Sequence, residues 1–268
     1  DEDKRRLKSD LMRLKNKYND PNFEINKFIS PKVVSINMDN VRYDNPDSIS
    51  HDYCVTDKAD GLSSLLFIVG GDMLEEWEKE KYKYLFGKGF LIDSNLNVSF
   101  SGNEFPNISN TYLFNGEFLN YTKRRCILNK YGIYDTYIIN GEDVHDLQLV
   151  SNDLGVNTRI QSANNFFEQN EPNALISEAV DIFVKTFYTP DNAVMNIFKC
   201  SDQIWKEKKD KPYKLDGLIY TPTKYPVGYN ESIQYDLNPW ITWTKNYKWK
   251  PPEDNTIDFL IRFEKELV

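Results

Sequence analysis

Short apolar and aromatic runs recur from Tyr53 onward, and they constrain the fold more than any other feature of this chain. Tyr53–Asp57, Ser64–Val69, Gly89–Ile92, Val98–Phe100, Thr111–Phe114 and Gly132–Tyr134 are each six residues long at most. Runs of that length rich in β-branched and aromatic side chains read as strands. Gly70-Gly71-Asp72 and Asp93-Ser94-Asn95 supply turn residues between some of them. Aromatic residues make up 14% of the chain, with 17 Tyr and 16 Phe, which favours the pleated surface further. The expectation is antiparallel sheet.

Helical periodicity is confined to the flanks. Asp3–Tyr18 places Leu7, Leu11 and Leu14 on one face and Lys and Arg around the rest. Asn19–Asn45 reads as loop, broken by Pro21 and Pro31. Met73–Phe86 fits a helix or a long strand equally. Asn173–Phe187 reads as a helix, with Leu175, Ile176, Ala179, Ile182, Phe183 and Phe187 apolar. Asp191–Lys209 reads as another, after which strands return at Leu215–Thr221, Ile241–Trp249 and Ile257–Phe263. The pattern predicts an α+β domain of packed antiparallel sheets with flanking helices, over residues 46–268, behind an extension over residues 1–45.

With 268 residues, 40% hydrophobic and 28% charged, the chain has material for a real core. Cys54, Cys126 and Cys200 are far apart and form no CxxC pair, which argues against a disulfide framework or a zinc site. No apolar run reaches membrane-spanning length and the charged start is no signal peptide, so the reading is an intracellular, soluble protein. A formal charge of −8 makes it a poor generic nucleic-acid binder, so any nucleotide or RNA contact needs a local basic cleft.

One lysine stands out against this background. Lys58 opens Lys58-Ala59-Asp60-Gly61 at the end of the first strand. A lysine amine can attack phosphorus and hold a nucleotide as a phosphoramide, but only when neutral. Lysine is ordinarily protonated up to about pH 10.4, so cations or burial must surround such a nucleophile. The segments that follow supply the rest. Glu117, in Leu113–Phe118, and Asp216, in Leu215–Pro222, are carboxylates suited to divalent cations. Lys248 and Lys250 flank Trp249, two apart on a strand and so on one face, where they can meet an α-phosphate. Tyr134 offers a ring to stack on a base.

This ordered set resembles the covalent nucleotidyltransferase superfamily of mRNA capping guanylyltransferases and ATP-dependent DNA and RNA ligases. Lys58-Ala59-Asp60-Gly61 looks like its motif I, Phe114-Asn115-Gly116-Glu117 like motif III, and Tyr131-Gly132-Ile133-Tyr134-Asp135 like motif IIIa. Asp216-Gly217-Leu218-Ile219 resembles motif IV and Lys248-Trp249-Lys250 motif V. Asp216 in place of the Glu usual in ligases, Lys248-Trp249-Lys250-Pro251-Pro252 and Asn255–Phe259 lean towards capping domains of large DNA viruses. The resemblance implies the ATP-grasp-like ligase fold and GTP as substrate with Mg2+ or Mn2+. It further implies a lysyl-GMP intermediate on Lys58 and transfer of GMP to a 5′-diphosphate RNA. Asp60 and Gly61 would belong to the nucleotide site, Glu117 would touch ribose or metal, Asp216 the metal, and Lys185 of Val184-Lys185-Thr186-Phe187 the guanine. It also implies RNA triphosphatase and methyltransferase domains or subunits as partners, no membrane association, and a cytoplasmic, viral-factory or virion location.

Two departures accompany the match. The family's ribose-binding Arg, two residues after the motif I Gly, is Ser63 here, and no Arg occurs between Arg42 and Arg124. The sequence stops at Val268, soon after motif V, so the family's OB domain is expected to be absent and the chain to be part of a larger multifunctional protein. A ligase adenylyltransferase and a non-catalytic module that binds RNA or a partner are the alternatives. His51 and His145 read as structural or surface residues, Lys206–Lys214 as a solvated helix end, and Lys123-Arg124-Arg125 as a better RNA candidate.

Overall fold

The structure, a computed structural model, describes residues 30–72, 74–191, 196–229 and 242–254. The helix expected at Asp3–Tyr18 and the strand expected at Ile257–Phe263 lie outside the described residues.

Two sheets carry the fold. The smaller has the order β1 (Lys32–Ser35), β12 (Thr242–Trp249), β11 (Leu215–Pro222), β2 (Tyr53–Ala59). The larger runs β10 (Asp181–Val184), β7 (Ile127–Ile139), β6 (Tyr112–Tyr121), β3 (Leu62–Ile68), β4 (Lys88–Asp93), β5 (Val98–Glu104), β9 (Asn173–Ala174), with β8 (Glu142–Asp143) beside β7. Pairing is antiparallel except for β1 on β12 and β10 on β7. The α+β class expected from the apolar runs is therefore what the chain adopts, and each run from Tyr53 to Tyr134 falls largely within a strand.

Helices cover the outer faces. In α3 (Ile197–Glu207), Asn196 caps the first turn by accepting from the Lys199 N–H at 3.0 Å. Ile197, Cys200 and Ile204 follow at helical spacing and pack with Leu218, Tyr220 and Tyr247 under the smaller sheet. Burial of Ile204, 2% exposed, contributes about 2–3 kcal/mol. In α2 (Arg159–Gln169) Thr158 caps, and Ala163 and Phe166 pack on Phe105, Tyr112 and Phe114 of the larger sheet. A short α1 (Glu76–Tyr82) settles the Met73–Phe86 ambiguity in favour of helix, with a capping box between Glu75 and Glu78.

Two expectations are corrected. Asn173–Phe187 is not a helix: its ends are β9, paired with β5, and β10, paired with β7. The Ile182-Phe183-Val184 run satisfies its backbone on β7, and Leu175 and Ile176 stay 47% and 46% exposed, so the helical spacing had no surface to bury against. Asn19–Asn45 is not all loop, because Lys32–Ser35 forms β1. No helix among the described residues is long and apolar enough to cross a membrane.

The chain crosses from one sheet to the other between Ala59 and Leu62, directly after Lys58. Facing strands of both sheets enclose a cavity of about 1000 Å³ beside that crossing.

Candidate active site

The crossing turn is built by a glycine. The Gly61 N–H donates to Glu117 Oε1 at 3.3 Å, and a Cβ at Gly61 would lie 2.6 Å from Glu117 Cγ and 2.8 Å from the Phe118 carbonyl. Any side chain there would push β6 away, so Gly61 sets how closely the Glu117 strand approaches the Lys58 strand. Asp60 is exposed, and its backbone N–H donates to the Lys214 carbonyl at 3.0 Å.

Asp216 reaches Lys58 through a β-bulge. On β11, Leu215 opposes Ala59 and Gly217 opposes Lys58, so Asp216 is the extra residue on its strand. Bulges bend a strand and re-aim a side chain. Lys58 Nζ donates to Asp216 Oδ2 at 2.5 Å, and Lys250 Nζ donates to Oδ1 at 3.0 Å. Burial acts to raise the Asp216 carboxyl, but hydrogen bonds from Lys250 and Lys58, with their charges, hold it below the ordinary carboxylate range. Gly217 makes this convergence feasible: its φ is +143° and a Cβ would sit 1.9 Å from the Trp249 carbonyl, so only glycine lets β11 approach β12 here.

A second charged group lies deeper. Lys185 Nζ, with a side chain 2% exposed, donates to the Asp57 carbonyl at 3.0 Å and to Glu117 Oε2 at 3.2 Å, and lies 3.5 Å from Asp57 Oδ2. Desolvation acts to lower its pKa, yet Asp57 and Glu117 outweigh it and the ammonium is held above the ordinary lysine range. Tyr134 sits at a bulge in β7, since Asn115 opposes Asp135 and Gly116 opposes Ile133. Its ring centroid is 6.0 Å from Lys185 Nζ, its hydroxyl is 3.3 Å from Ser63 Oγ, and burial pushes its pKa up.

Lys58, Glu117, Tyr134, Lys185 and Lys248 all line the cavity, along with Ser63. Asp216, Lys250 and Gly61 are not among the lining residues: Asp216 bonds Lys58 from behind the wall, Lys250 bonds Asp216, and Gly61 bonds Glu117. Asp60 is tied in by its backbone alone among the described residues. Lys248 lines the cavity, and Lys250, one residue beyond β12, bonds Asp216. Sequence reasoning missed Asp57, 3% exposed beneath Lys185, whose only signal was its place beside Lys58. It also missed Ser30–Val33, which line the cavity from β1 and the residues before it, and Asn115, whose side-chain amide donates to Ser30 Oγ at 3.0 Å and Tyr137 Oη at 2.7 Å.

Among the described residues no group of three or more His, Cys, Asp or Glu forms a metal cage. The donors present are carboxylate oxygens, which suit a hard cation that arrives on phosphates and needs one or two protein ligands. Asp216 and Glu117 fit that requirement.

The model of the mRNA capping enzyme catalytic domain matches residues 1–238, most of the chain. This protein belongs to that family. A "Probable mRNA-capping enzyme" of Acanthamoeba polyphaga mimivirus is 27% identical over 280 residues, covering 91% of this chain and 22% of that protein. The chain thus spans about a fifth of the length of this relative. Among solved structures, the ligase domain of M. tuberculosis LigD aligns with TM-score 0.46 and 8% identity, over 85% of this chain and 61% of the other. A mycobacterial DNA ligase D complexed with ATP and MES aligns with TM-score 0.44 and 8% identity, over 85% of this chain and 62% of the other.

Proposed function

We propose that this member of the capping family is an mRNA guanylyltransferase whose nucleophile is Lys58. One observation carries the reading: Lys58, which lines a nucleotide-sized cavity, and Lys250 arrive from separate segments and both bond Asp216 within 3.0 Å. In the first step Lys58 Nζ, having lost its ammonium proton, attacks the α-phosphorus of GTP. The P–N bond forms, the α–β P–O bond breaks, and pyrophosphate leaves with the electron pair. The second amine proton then leaves the nitrogen. In the second step a terminal phosphate oxygen of a 5′-diphosphate RNA attacks the same phosphorus, the P–N bond breaks, and Lys58 takes back a proton.

Each neighbour has a definite task. Lys250 and Lys248 offset charge on the α-phosphate, a stabilisation that matters most as charge develops in the transition state. Gly61 holds Glu117 against the nucleophile turn, where it meets the ribose. Tyr134 stacks on the base, and Lys185 presents a charge at the guanine edge. Mg2+ or Mn2+ held by Asp216 and Glu117 would supply neutralisation of the triphosphate. Ser63 brings no guanidinium to the ribose, so either another group takes that role or binding of the nucleotide leans on the base and phosphates. RNA triphosphatase and methyltransferase activities belong to the remainder of the same polypeptide or to partner subunits, and the site of action is the cytoplasm of an infected cell.

The test is incubation with α-labelled GTP or ATP followed by denaturation. Label from GTP that survives denaturation supports the reading. Label from ATP alone makes the chain a ligase-type adenylyltransferase, and label from neither leaves it a binding module.

A further inference from the structure

The β6–β7 hairpin and the segment between α3 and β11 are remote in sequence but share one surface. Lys206–Lys214 carries five lysines against two carboxylates, and Lys123-Arg124-Arg125 adds three cations, in a chain whose formal charge is −8. Lys123 fastens the two together: its Nζ donates to the carbonyls of Lys208 at 2.6 Å and Lys209 at 3.0 Å, and its N–H to the Pro212 carbonyl at 3.3 Å. The far end of the same segment, Lys214, accepts from the Asp60 N–H at 3.0 Å, two residues beyond the nucleophile. The basic surface therefore abuts the turn that carries Lys58.

Several of these cations are already engaged. Lys206 pairs with Asp202 at 2.5 Å, Lys208 lies 3.9 Å from the Trp205 ring centroid, and Lys211 is 3.9 Å from Asp57. Arg124, Arg125, Lys209 and Lys214 are exposed, and their charged groups have no hydrogen bond or ion pair with any described residue. Folding gains nothing from four uncompensated like charges on one surface, which repel one another. Beside them Tyr121 is 60% exposed at the end of β6. It follows Glu117 by four residues, about 13 Å along an extended strand. Exposed cations with an aromatic ring among them are the elements that hold a single-stranded nucleic acid by charge on its phosphates and stacking on its bases.

We propose that this surface, from Lys214 across Lys209 to Arg124, Arg125 and Tyr121, binds the first nucleotides of the RNA whose 5′ end meets Lys58. The assignment of the 5′ end rests on the guanylyltransferase reading, whereas binding of RNA to the surface does not. Lys123 acts as a positioning residue, because its charge is spent on the end of α3.

Fluorescence anisotropy with a labelled single-stranded RNA of about ten nucleotides bearing a 5′-diphosphate, titrated without GTP at several salt concentrations, tests it. Arg124→Glu/Arg125→Glu and Lys209→Glu/Lys214→Glu are each expected to weaken binding at least about tenfold with an unchanged melting temperature. Their neutral counterparts, Arg124→Gln/Arg125→Gln and Lys209→Gln/Lys214→Gln, taken together should flatten the plot of log K against log salt. The slope should change by about 0.7 for each phosphate left without its cation, close to 3 in all. RNA affinity within twofold of the parent in the fourfold Gln variant overturns the proposal. So does equal affinity of the parent for polyglutamate of the same charge, which would reveal mere attraction of polyanions. The covalent-label assay runs separately. A chain that takes no label yet loses RNA in these variants fails the guanylyltransferase reading alone. A labelled chain whose RNA binding ignores them fails only this proposal.

Discussion

Lys185→Met is the most discriminating substitution the site offers. Methionine keeps the length of the side chain and removes the ammonium. Asp57 and Glu117, 3% and 14% exposed at their side chains, would then share a buried space without their common cation. Asp57 is the more exposed to harm, because its Oδ2 is buried without a hydrogen bond and the next ammonium, Lys211, stands 3.9 Å from Oδ1. Removing one partner of a buried ion pair costs about 3–5 kcal/mol. At roughly 2–4 °C per kcal/mol for a protein near this size, the melting temperature should fall by about 6–20 °C. The second arm is Lys185→Met/Asp57→Asn. If the loss stems from a stranded carboxylate, neutralising it restores about 0.5–3 kcal/mol as a coupling energy. The pH dependence has a fixed sign. Since Lys185 is held above its ordinary range, its contribution is complete below about 10.4 and fades as pH rises through the folded value, a limb the variant lacks. Denaturant melts of the parent, Lys185→Met, Asp57→Asn and the double variant decide the matter. Lys185→Met within about 1 kcal/mol of the parent, or a double variant less stable than Lys185→Met, would refute the buried-pair reasoning.

Lys58→Ala should abolish the GTP-derived label that survives denaturation and alkali but is released by acid, as a P–N bond requires, while lowering stability by less than about 1 kcal/mol, since Asp216 keeps Lys250; undiminished label on mass spectrometry removes Lys58 as nucleophile. Gly217→Ala should cost about 2–5 kcal/mol in a thermal melt, from its clash with the Trp249 carbonyl and its φ of +143°, and an unchanged melt contradicts the close approach. Asp216 is held below the ordinary carboxylate range, so its stabilisation is present above about pH 3.9 and is lost as pH falls through the folded value. The stability gap to Asp216→Asn should therefore close on acidification, and a gap that widens below that pH is evidence against the pairing. Tyr134→Ala should raise the KM for GTP by about tenfold or more and Tyr134→Phe should not, in keeping with about 1–3 kcal/mol for stacking on a base.

The sheets were legible because their signal is local. Ser64–Val69 or Thr111–Phe114 can be little other than strands, whatever lies around them. What escaped was decided by partners far away in sequence. Ile182-Phe183-Val184 became a strand because β7 offered an open edge, and Lys32–Ser35 became one because β12 did. The helix at Arg159–Gln169 drew no notice although Thr158, Ile160, Ala163 and Phe166 carry the marks of a capped, one-sided helix. In the site, residue types and order were readable, but placement was not. Asp216 and Tyr134 owe their orientation to bulges, and a bulge shifts the alternation that sequence patterns rely on. Asp57 lacked any signature because its importance comes from Lys185, 128 residues away.

β1 has a consequence for handling the protein. A shortened version that begins at Ile36 would lose Ser30, the partner of the Asn115 amide, together with the Pro31–Val33 part of the cavity wall. It would also strip β12 of a neighbour between Thr242 and Lys248, leaving free N–H and C=O groups next to Trp243, now only 1% exposed. Such an edge recruits strands from other chains. Trimming what looks like a dispensable leader would turn the sheet that carries Lys58 into a seed for aggregation.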